Sequence, residues 1–337
     1  MTNKSFGLDI GATTIKAVSL TRQKNGFLLE SSFIMPTPVK GMYSNSPLDE
    51  QEMAESLKKV VDNAKITTKN VNIALPENKV YTNVIEMPVM SDKELASAIN
   101  FEAEQYIPVP LSEINLVWSV LKRDEKIRVL MVGAPTIDIN KYQRTIAMAG
   151  LNIVGIETEI LSAIRALVHA SIPQTLIINI GAENTSLAII RDGVLIFTYS
   201  VPTGGAAINR ALEADFGISA SESEEYKKVY GMSKEGVGGK VGSSIEAILA
   251  SILNEIKKTL AFYAQKYKDD TIIQQIVLSG GTAKLPGIQL FFAENLGIET
   301  AIANPWQVLT NQNLPKEMLD NAAEYTIAVG LAMRGYE

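Results

Sequence analysis

The sequence predicts an α/β fold of two similar lobes, with a small subdomain inserted into the first. Three observations carry this reading. A strand–turn–strand segment, "LDIGATTIKAV", returns half a chain later as "INIGAENTSLAI", with Asn179 standing where the first copy has Asp9. The chain has 337 residues, more than a single hydrophobic core usually supports. A proline-bracketed stretch, "MPVMSDKELASAINFEAEQYIPVP", interrupts the first half with elements in a different order.

In chain order, strands are predicted over 5–10, 14–20 and 27–35, with Asn25-Gly26 as a hairpin turn. A helix over 49–65 places Met53, Leu57, Val60, Val61 and Ala64 on one face. Strands 71–75 and 80–87 complete a first lobe over 1–87. Ser91-x-x-Glu94 reads as a capping box opening the helix of an inserted subdomain, 88–157. Strands 114–122 and 127–133, a helix over 138–149 and a strand over 152–157 fill the rest of it. Residues 158–174 return to the first lobe through a helix running to 170. The second lobe spans 175–320, with Asp192-Gly193 as a hairpin turn and a helical subdomain over 206–270. A long helix is expected over 243–267, preceded by "EGVGGKVGSS" as a flexible loop. "IVLSGGTAKLPGI" gives strand, glycine turn and helix, and a closing helix over 321–334 lies in the segment 321–337.

Composition narrows the function classes. The chain is 46% hydrophobic and 20% charged, with net charge −6, and its basic runs are only pairs such as Lys58-Lys59 and Lys257-Lys258. A nucleic-acid binder would show a basic stripe. No cysteine is present, which excludes disulfides, thiolate nucleophiles and zinc–cysteine sites. His169 is the sole histidine and reads as a helix-end or surface residue, without partners for a histidine-based triad. Asp9 falls where a signal peptide needs its apolar stretch, and no apolar run approaches the ~18 residues of a membrane span. The expectation is a soluble, cytoplasmic protein.

The repeated hairpin suits phosphate. Gly11 and Gly181 let the backbone come close to an anion, with turn N–H groups pointing at it. Thr13, Thr14, Asn184, Thr185 and Ser186 offer uncharged donors, and Lys16 adds a positive charge. Asp9, at a strand end, would hold a magnesium ion through its waters. One copy alone would be an ordinary β-turn. Two copies, with Gly280-Gly281 between a strand and a helix, point to a nucleotide clamped between lobes. Competing motifs fail: "EGVGGKVGSS" lacks Walker A spacing and carries Val241 after Lys240, and no G-x-G-x-x-G follows a strand.

At these residues the chain resembles the actin-like ATPase superfamily (actin, sugar kinases, heat-shock chaperone ATPases, FtsA). The implied fold is actin-like (ribonuclease H-like), with duplicated lobes and an FtsA-type inserted subdomain. Asp9-Ile-Gly-Ala-Thr-Thr-Ile-Lys16 is similar to the first phosphate motif, with Gly11, Ala12, Thr13, Thr14 and Lys16 at the phosphates. Asn179-Ile-Gly-Ala-Glu-Asn-Thr185 is similar to the second, with Gly181, Asn184 and Thr185. "SGGTAKLPG" resembles the adenosine motif, implying Gly280, Gly281, Thr282 and Lys284. Gly204-Gly205 in "VPTGGAAINRAL" resembles the glycine pair before the helical subdomain, and "SEEYKKVYG" would set Glu224 and Lys227 beside purine and ribose. "EYTIAVGLAMRG" resembles the closing helix, where Ala328 and Gly330 allow tight packing. The resemblance implies ATP or ADP with Mg2+, the metal held through water by Asp9 and Asn179.

Within the superfamily, the length, the inserted segment and "FTYSVPTGG" resemble the PilM family of the type IV pilus inner-membrane platform. That family implies a cytoplasmic scaffold, peripheral to the inner membrane through its partners. Those partners are the N-terminal cytoplasmic tail of PilN, the PilO complex and the pilus motor ATPases, with self-assembly also open. Ile99, Phe101, Tyr106 and Trp118 are candidates to line the partner groove, or to pack in a core. Asn179 replaces the Asp that usually opens the second phosphate motif. An amide can bond a metal-bound water but cannot take its proton, so weak or absent hydrolysis is expected. Two alternatives stand beside the scaffold: a small-molecule kinase, with Glu157 and Glu159 as candidate acids, and an FtsA-like filament former.

Overall fold

A computed structural model describes residues 4–169, 173–267, 273–310 and 313–337. The predicted helix end at 170, and residues 268–270 of the helical block, lie outside the described residues. The chain begins with β1 (Phe6–Ile10), β2 (Thr14–Gln23) and β3 (Gly26–Pro36), then α1 (Pro47–Asn63) and β4 (Asn70–Leu75). β5 (Tyr81–Met87), α2 (Asp92–Tyr106), β6 (Ile114–Arg123) and β7 (Ile127–Pro135) follow, and then α3 (Thr136–Met148), β8 (Asn152–Thr158) and α4 (Glu159–Leu167). The second half runs β9 (Thr175–Ile180), β10 (Thr185–Arg191), β11 (Val194–Val201), α5 (Gly205–Phe216), α6 (Ala220–Tyr230) and α7 (Gly236–Tyr267). It ends with β12 (Gln275–Ser279), α8 (Ile288–Leu296), β13 (Glu299–Ile302), α9 (Lys316–Asp320) and α10 (Thr326–Arg334).

The sheets reproduce the repeat seen in the sequence. The first lobe orders its strands β3-β2-β1-β4-β8 and the second β11-β10-β9-β12-β13. Each has two antiparallel hairpin partners on one side and parallel neighbours on the other. The register is also shared, since Asp9 lies opposite Lys16 as Asn179 lies opposite Ser186. β1, β4 and β9 are apolar runs because both faces of each sheet are covered. At the β10–β11 turn, Asp192 (φ 53°) and Gly193 (φ 74°) both take left-handed conformations, as a two-residue hairpin requires.

The inserted subdomain differs from its expected limits of 88–157. β5 pairs with β7 in a three-stranded sheet ordered β5-β7-β6, so this strand belongs with the insertion. β8 instead pairs parallel with β4, and Tyr142 and Ile146 of α3 pack into the first-lobe core. Hydrophobic pattern alone names a strand but not the edge it joins. On one face of the small sheet, Leu95, Ile99 and Ala103 of α2 meet Ile85, Met87, Ile127, Val129 and Met131. Ser91 and Glu94 form the expected capping box at the start of α2. On the other face, Val84 and Leu130 join Ile177, Ala188, Ile190 and Leu195 of the second lobe around Ile160. The insertion is therefore fastened to both lobes.

α7 starts seven residues earlier than expected, taking in most of the segment read as a loop. Gly238, Gly239 and Gly242 permit this, because a Cβ there would meet Ser233 or Lys234 at 2.2–2.9 Å. By length and composition α7 could cross a membrane. In this fold its apolar stripe, Val241, Ile245, Leu249, Ile252 and Ile256, is the core of the second lobe. The helix expected over 321–334 is instead a 3-10 turn (Ala322–Tyr325) followed by α10, with α9 just before them. α10 packs between β1 and α4 at backbone distance: a Cβ on Gly7 would lie 2.2 Å from the Ala328 carbonyl, and one on Gly330 2.0 Å from that of Ser162.

Candidate functional site

The two repeated turns face each other across a cleft of about 680 Å³ between the lobes. In the first, the Gly11 N–H donates to the Thr14 carbonyl at 3.1 Å, and the Thr37 hydroxyl donates to the Gly11 carbonyl at 2.7 Å. In the second, the Gly181 N–H donates to the Asn184 carbonyl at 2.9 Å. Each turn is thus closed by the same bond, and Gly11, Ala12, Thr13 and Thr14 face Gly181, Ala182, Glu183 and Asn184. The Gly205 and Ala206 N–H groups, at the start of α5, brace the second turn on its carbonyls at 2.9 and 2.8 Å.

The electrostatics of the two turns differ. Lys16 Nζ lies 3.1 Å from Asp9 Oδ2, and both side chains are more than nine-tenths buried. The equivalent cross-strand pair in the second lobe is uncharged: Asn179 Oδ1 accepts from the Ser279 hydroxyl at 3.0 Å, and Ser186 Oγ accepts from Asn184 Nδ2 at 3.0 Å. Gly280, with φ 87°, closes this corner, since a Cβ would lie 2.5 Å from the Ile180 carbonyl. On the α5–α6 side, Glu224 takes hydrogen bonds from Lys227 at 2.5 Å and Asn209 at 3.0 Å. Burial raises its pKa, but these partners outweigh burial and leave it lowered. Asn209 Oδ1, on the same wall, is buried without a hydrogen-bond partner among the described residues. Lys284 pairs with Glu324 and donates to Asn321 Oδ1 at 2.7 Å.

Nearly all the candidates named from the sequence reach this cleft: Asp9, Gly11, Ala12, Thr13, Thr14, Lys16, Asn179, Gly181, Asn184, Gly205, Glu224, Lys227, Gly280, Gly281, Thr282 and Lys284. Three do not line it. Thr185 is fully buried and donates to the Thr203 carbonyl at 2.8 Å, tying the hairpin to the loop before α5. Ser186 is fully buried and accepts from Asn184 Nδ2. Gly204 sits behind the second turn, where a Cβ would lie 2.5 Å from the Gly181 carbonyl. All three support the turn rather than face the cleft. Of the candidate acids, Glu157 is held by Arg165 and Arg334 away from the cleft. His169 follows the end of α4 rather than lying within it. Ile99 is fully buried in the insertion's core, Tyr106 and Trp118 pack against it, and Phe101 is exposed.

The first-lobe wall adds side chains that sequence reading did not place here: Tyr43, Lys79, Asp138 and Tyr142. Glu159, the first residue of α4, is also there. Burial, and next the Asp9 carboxylate, push its pKa up to about 8. Burial likewise pushes Tyr43 to about 12. Of the two candidate acids named from the sequence, the fold brings Glu159 to the cleft, since it follows β8 as the cleft turns follow β1 and β9. The cleft's size suits a small ligand, and its glycine-lined turns suit one whose phosphates approach the backbone. No group of three or more acidic, His or Cys side chains able to hold a metal occurs among the described residues. The donor set therefore fits a cation carried largely by phosphate and water, as Mg2+ usually is.

Comparison with known proteins agrees with this geometry. The family model described as type IV pilus assembly protein PilM matches residues 7–336. The solved structure of a PilM–PilN type IV pilus biogenesis complex is similar over 100% of both chains, with TM-score 0.88 and 25% identity. MreB5 of Spiroplasma citri bound to ADP shares the fold, with TM-score 0.51 and 15% identity over 97% of this chain and 94% of that one. The cell division protein FtsA of Streptococcus pneumoniae is 24% identical over 347 residues, covering 90% of this chain and 76% of that protein. The architecture is the actin-like ATPase fold.

Proposed function

The chain belongs to the type IV pilus assembly protein PilM family, and from that membership we propose that it is a nucleotide-binding scaffold of the pilus assembly platform. The observation that carries this reading is the pair of identically closed turns facing one another across the cleft, one with a buried Lys16–Asp9 pair. On this reading the turn amides of 11–14 and 181–184 cradle phosphates, and Lys16 supplies charge there. Asp9 and Asn179 hold Mg2+ through its waters. Gly280, Gly281, Thr282, Glu224 and Lys227 flank the base and ribose. Bound Mg2+ supplies charge neutralisation to the phosphates.

Hydrolysis is weak or absent because the Asn179 amide cannot accept a proton from the attacking water. The nucleotide then serves as a state variable: its binding shifts the population of interlobe arrangements, and the insertion, packed on both lobes, reads that shift. The partner is the N-terminal cytoplasmic tail of PilN, on the precedent of the solved PilM–PilN complex. The PilO complex and the motor ATPases are reached through it. The protein works on the cytoplasmic side, peripheral to the inner membrane.

Calorimetric titration of ATP with Mg2+ into the wild type and Lys16→Ala, followed by a phosphate-release assay, tests the proposal. Binding weakened at least tenfold in the variant, with negligible turnover, is expected. Absence of nucleotide binding to the wild type would end the switch reading, and fast turnover would favour a kinase or motor.

A further inference from the structure

Glu77 is a buried acid that the proposed function leaves unused. It is 5% exposed and lies in the short turn that carries the chain from β4 of the first lobe to β5 of the insertion. No cation pairs with it among the described ion pairs. Its Oε2 accepts from the Ile160 N–H at 3.4 Å, capping the first turn of α4 beside Thr158, whose hydroxyl accepts from the Leu161 N–H at 3.4 Å. Glu159, the cleft acid, lies between those two caps. Burial raises the pKa of this carboxyl, and the Thr82 hydroxyl of β5 works against that rise.

The surroundings of Thr82 are unusual. Its hydroxyl and those of Thr198 and Ser200 on β11 are all buried without a partner among the described residues. Thr198 and Ser200 alternate on one face of β11, the face whose neighbours Ala188 and Leu195 pack with Val84 of β5. The insertion and the second lobe thus pack where β5 and β11 carry buried hydroxyls with no partner among the described residues, which is a costly arrangement. Glu77, at the start of the turn into β5, adjoins both this contact and the helix that presents Glu159.

We infer that Glu77 is a positioning residue that couples the inserted subdomain to the cleft, tying the N-terminal turn of α4 to strand β5. Displacement of β5 by a bound partner changes how the carboxyl sits between Thr82 and the Ile160 N–H. That in turn sets how α4 presents its first turn to the nucleotide. The inference rests on the proposed function, because it needs a nucleotide in the cleft and a partner whose binding moves the insertion.

The test measures coupling rather than stability. Mg2+·ATP is titrated into the full chain with and without a saturating synthetic peptide of the PilN N-terminal tail. The chains compared are wild type, Glu77→Gln, Glu77→Ala and Thr82→Val. The peptide is expected to change ATP affinity by about tenfold in the wild type, and ATP the peptide's affinity by the same factor. Glu77→Gln keeps an acceptor for the Ile160 N–H and a donor toward Thr82, and should retain the coupling. Glu77→Ala and Thr82→Val should reduce it to within about twofold of unity while each ligand alone binds nearly as before. Thr82→Val preserves shape and decides the matter should Glu77→Ala not fold. Wild-type coupling that persists in Thr82→Val and in folded Glu77→Ala overturns the inference and leaves the proposed function standing. Failure of either ligand to bind the wild type, or independent binding of both, overturns the proposed switch, and the inference falls with it.

Discussion

Glu159→Gln should stabilise the nucleotide-free chain, increasingly as pH rises from 4.5 to 8. In the fold, burial and Asp9 push this carboxyl up to about 8, whereas its ordinary value is 4.5. Between those values the folded chain holds a proton that the unfolded chain has released. The stability contributed by this group therefore falls as pH rises toward 8, and is level below 4.5. At ~1.36 kcal/mol per pKa unit, the ceiling on the cost of carrying the charge above pH 8 is about 5 kcal/mol. Glutamine carries no charge in either state, so the variant should match wild type near pH 4.5 and exceed it by about 3 to 5 kcal/mol at pH 9. An unfolding entropy of ~2.1 cal/mol/K per residue, over 337 residues, makes that a rise of about 4 to 7 °C in the midpoint. Thermal unfolding followed by circular dichroism in EDTA at pH 5, 7 and 9 reads the difference. Wild-type and variant midpoints that run parallel across that range would refute the reasoning.

Three further outcomes follow from the packing and the site. Gly330→Ala sets a methyl 2.0 Å from the Ser162 carbonyl and should cost about 3 kcal/mol or more, lowering the urea midpoint; an unchanged midpoint would mean α10 is not seated against α4 as described. Asn179→Asp restores a carboxylate opposite Ser186 and should raise phosphate release at least tenfold, and no change would show that the asparagine is not what limits turnover. Ser91→Ala removes one half of the capping box and should cost about 1 kcal/mol, with faster amide exchange in the first turn of α2 and little effect elsewhere.

What was legible in the sequence is what depends on short-range pattern. The two hairpins could be recognised because a glycine turn between apolar strands leaves a local imprint, and the same imprint twice implied two sheets of like order. The Ser91–Glu94 cap was legible for the same reason, since both partners lie within one helical turn. What escaped is set by contacts distant in sequence. Whether β5 joins the first lobe or the insertion depends on β7, and whether 236–242 is helix depends on Ser233 and Lys234 accepting glycines at backbone distance. Thr185 and Gly204 carry the residue types of a phosphate loop, yet bonding with Thr203 and close packing on Gly181 turn them inward. Glu77 was invisible altogether, because one acidic residue in a turn gives no sign of being buried.

The placement of α10 has a consequence for how the protein is made. β1 leaves the ribosome long before α10, the helix that covers it at Gly7. Until α10 arrives, Gly7 of β1 and Val18 and Leu20 of β2 sit on a sheet face left bare, and closing the lobe brings together segments from opposite ends of the described chain. Nascent chains halted anywhere before α10 should therefore be clients of the cell's holding chaperones, however complete their second lobe. A fragment lacking α10, co-expressed with a separate peptide carrying it, should be rescued to solubility in trans.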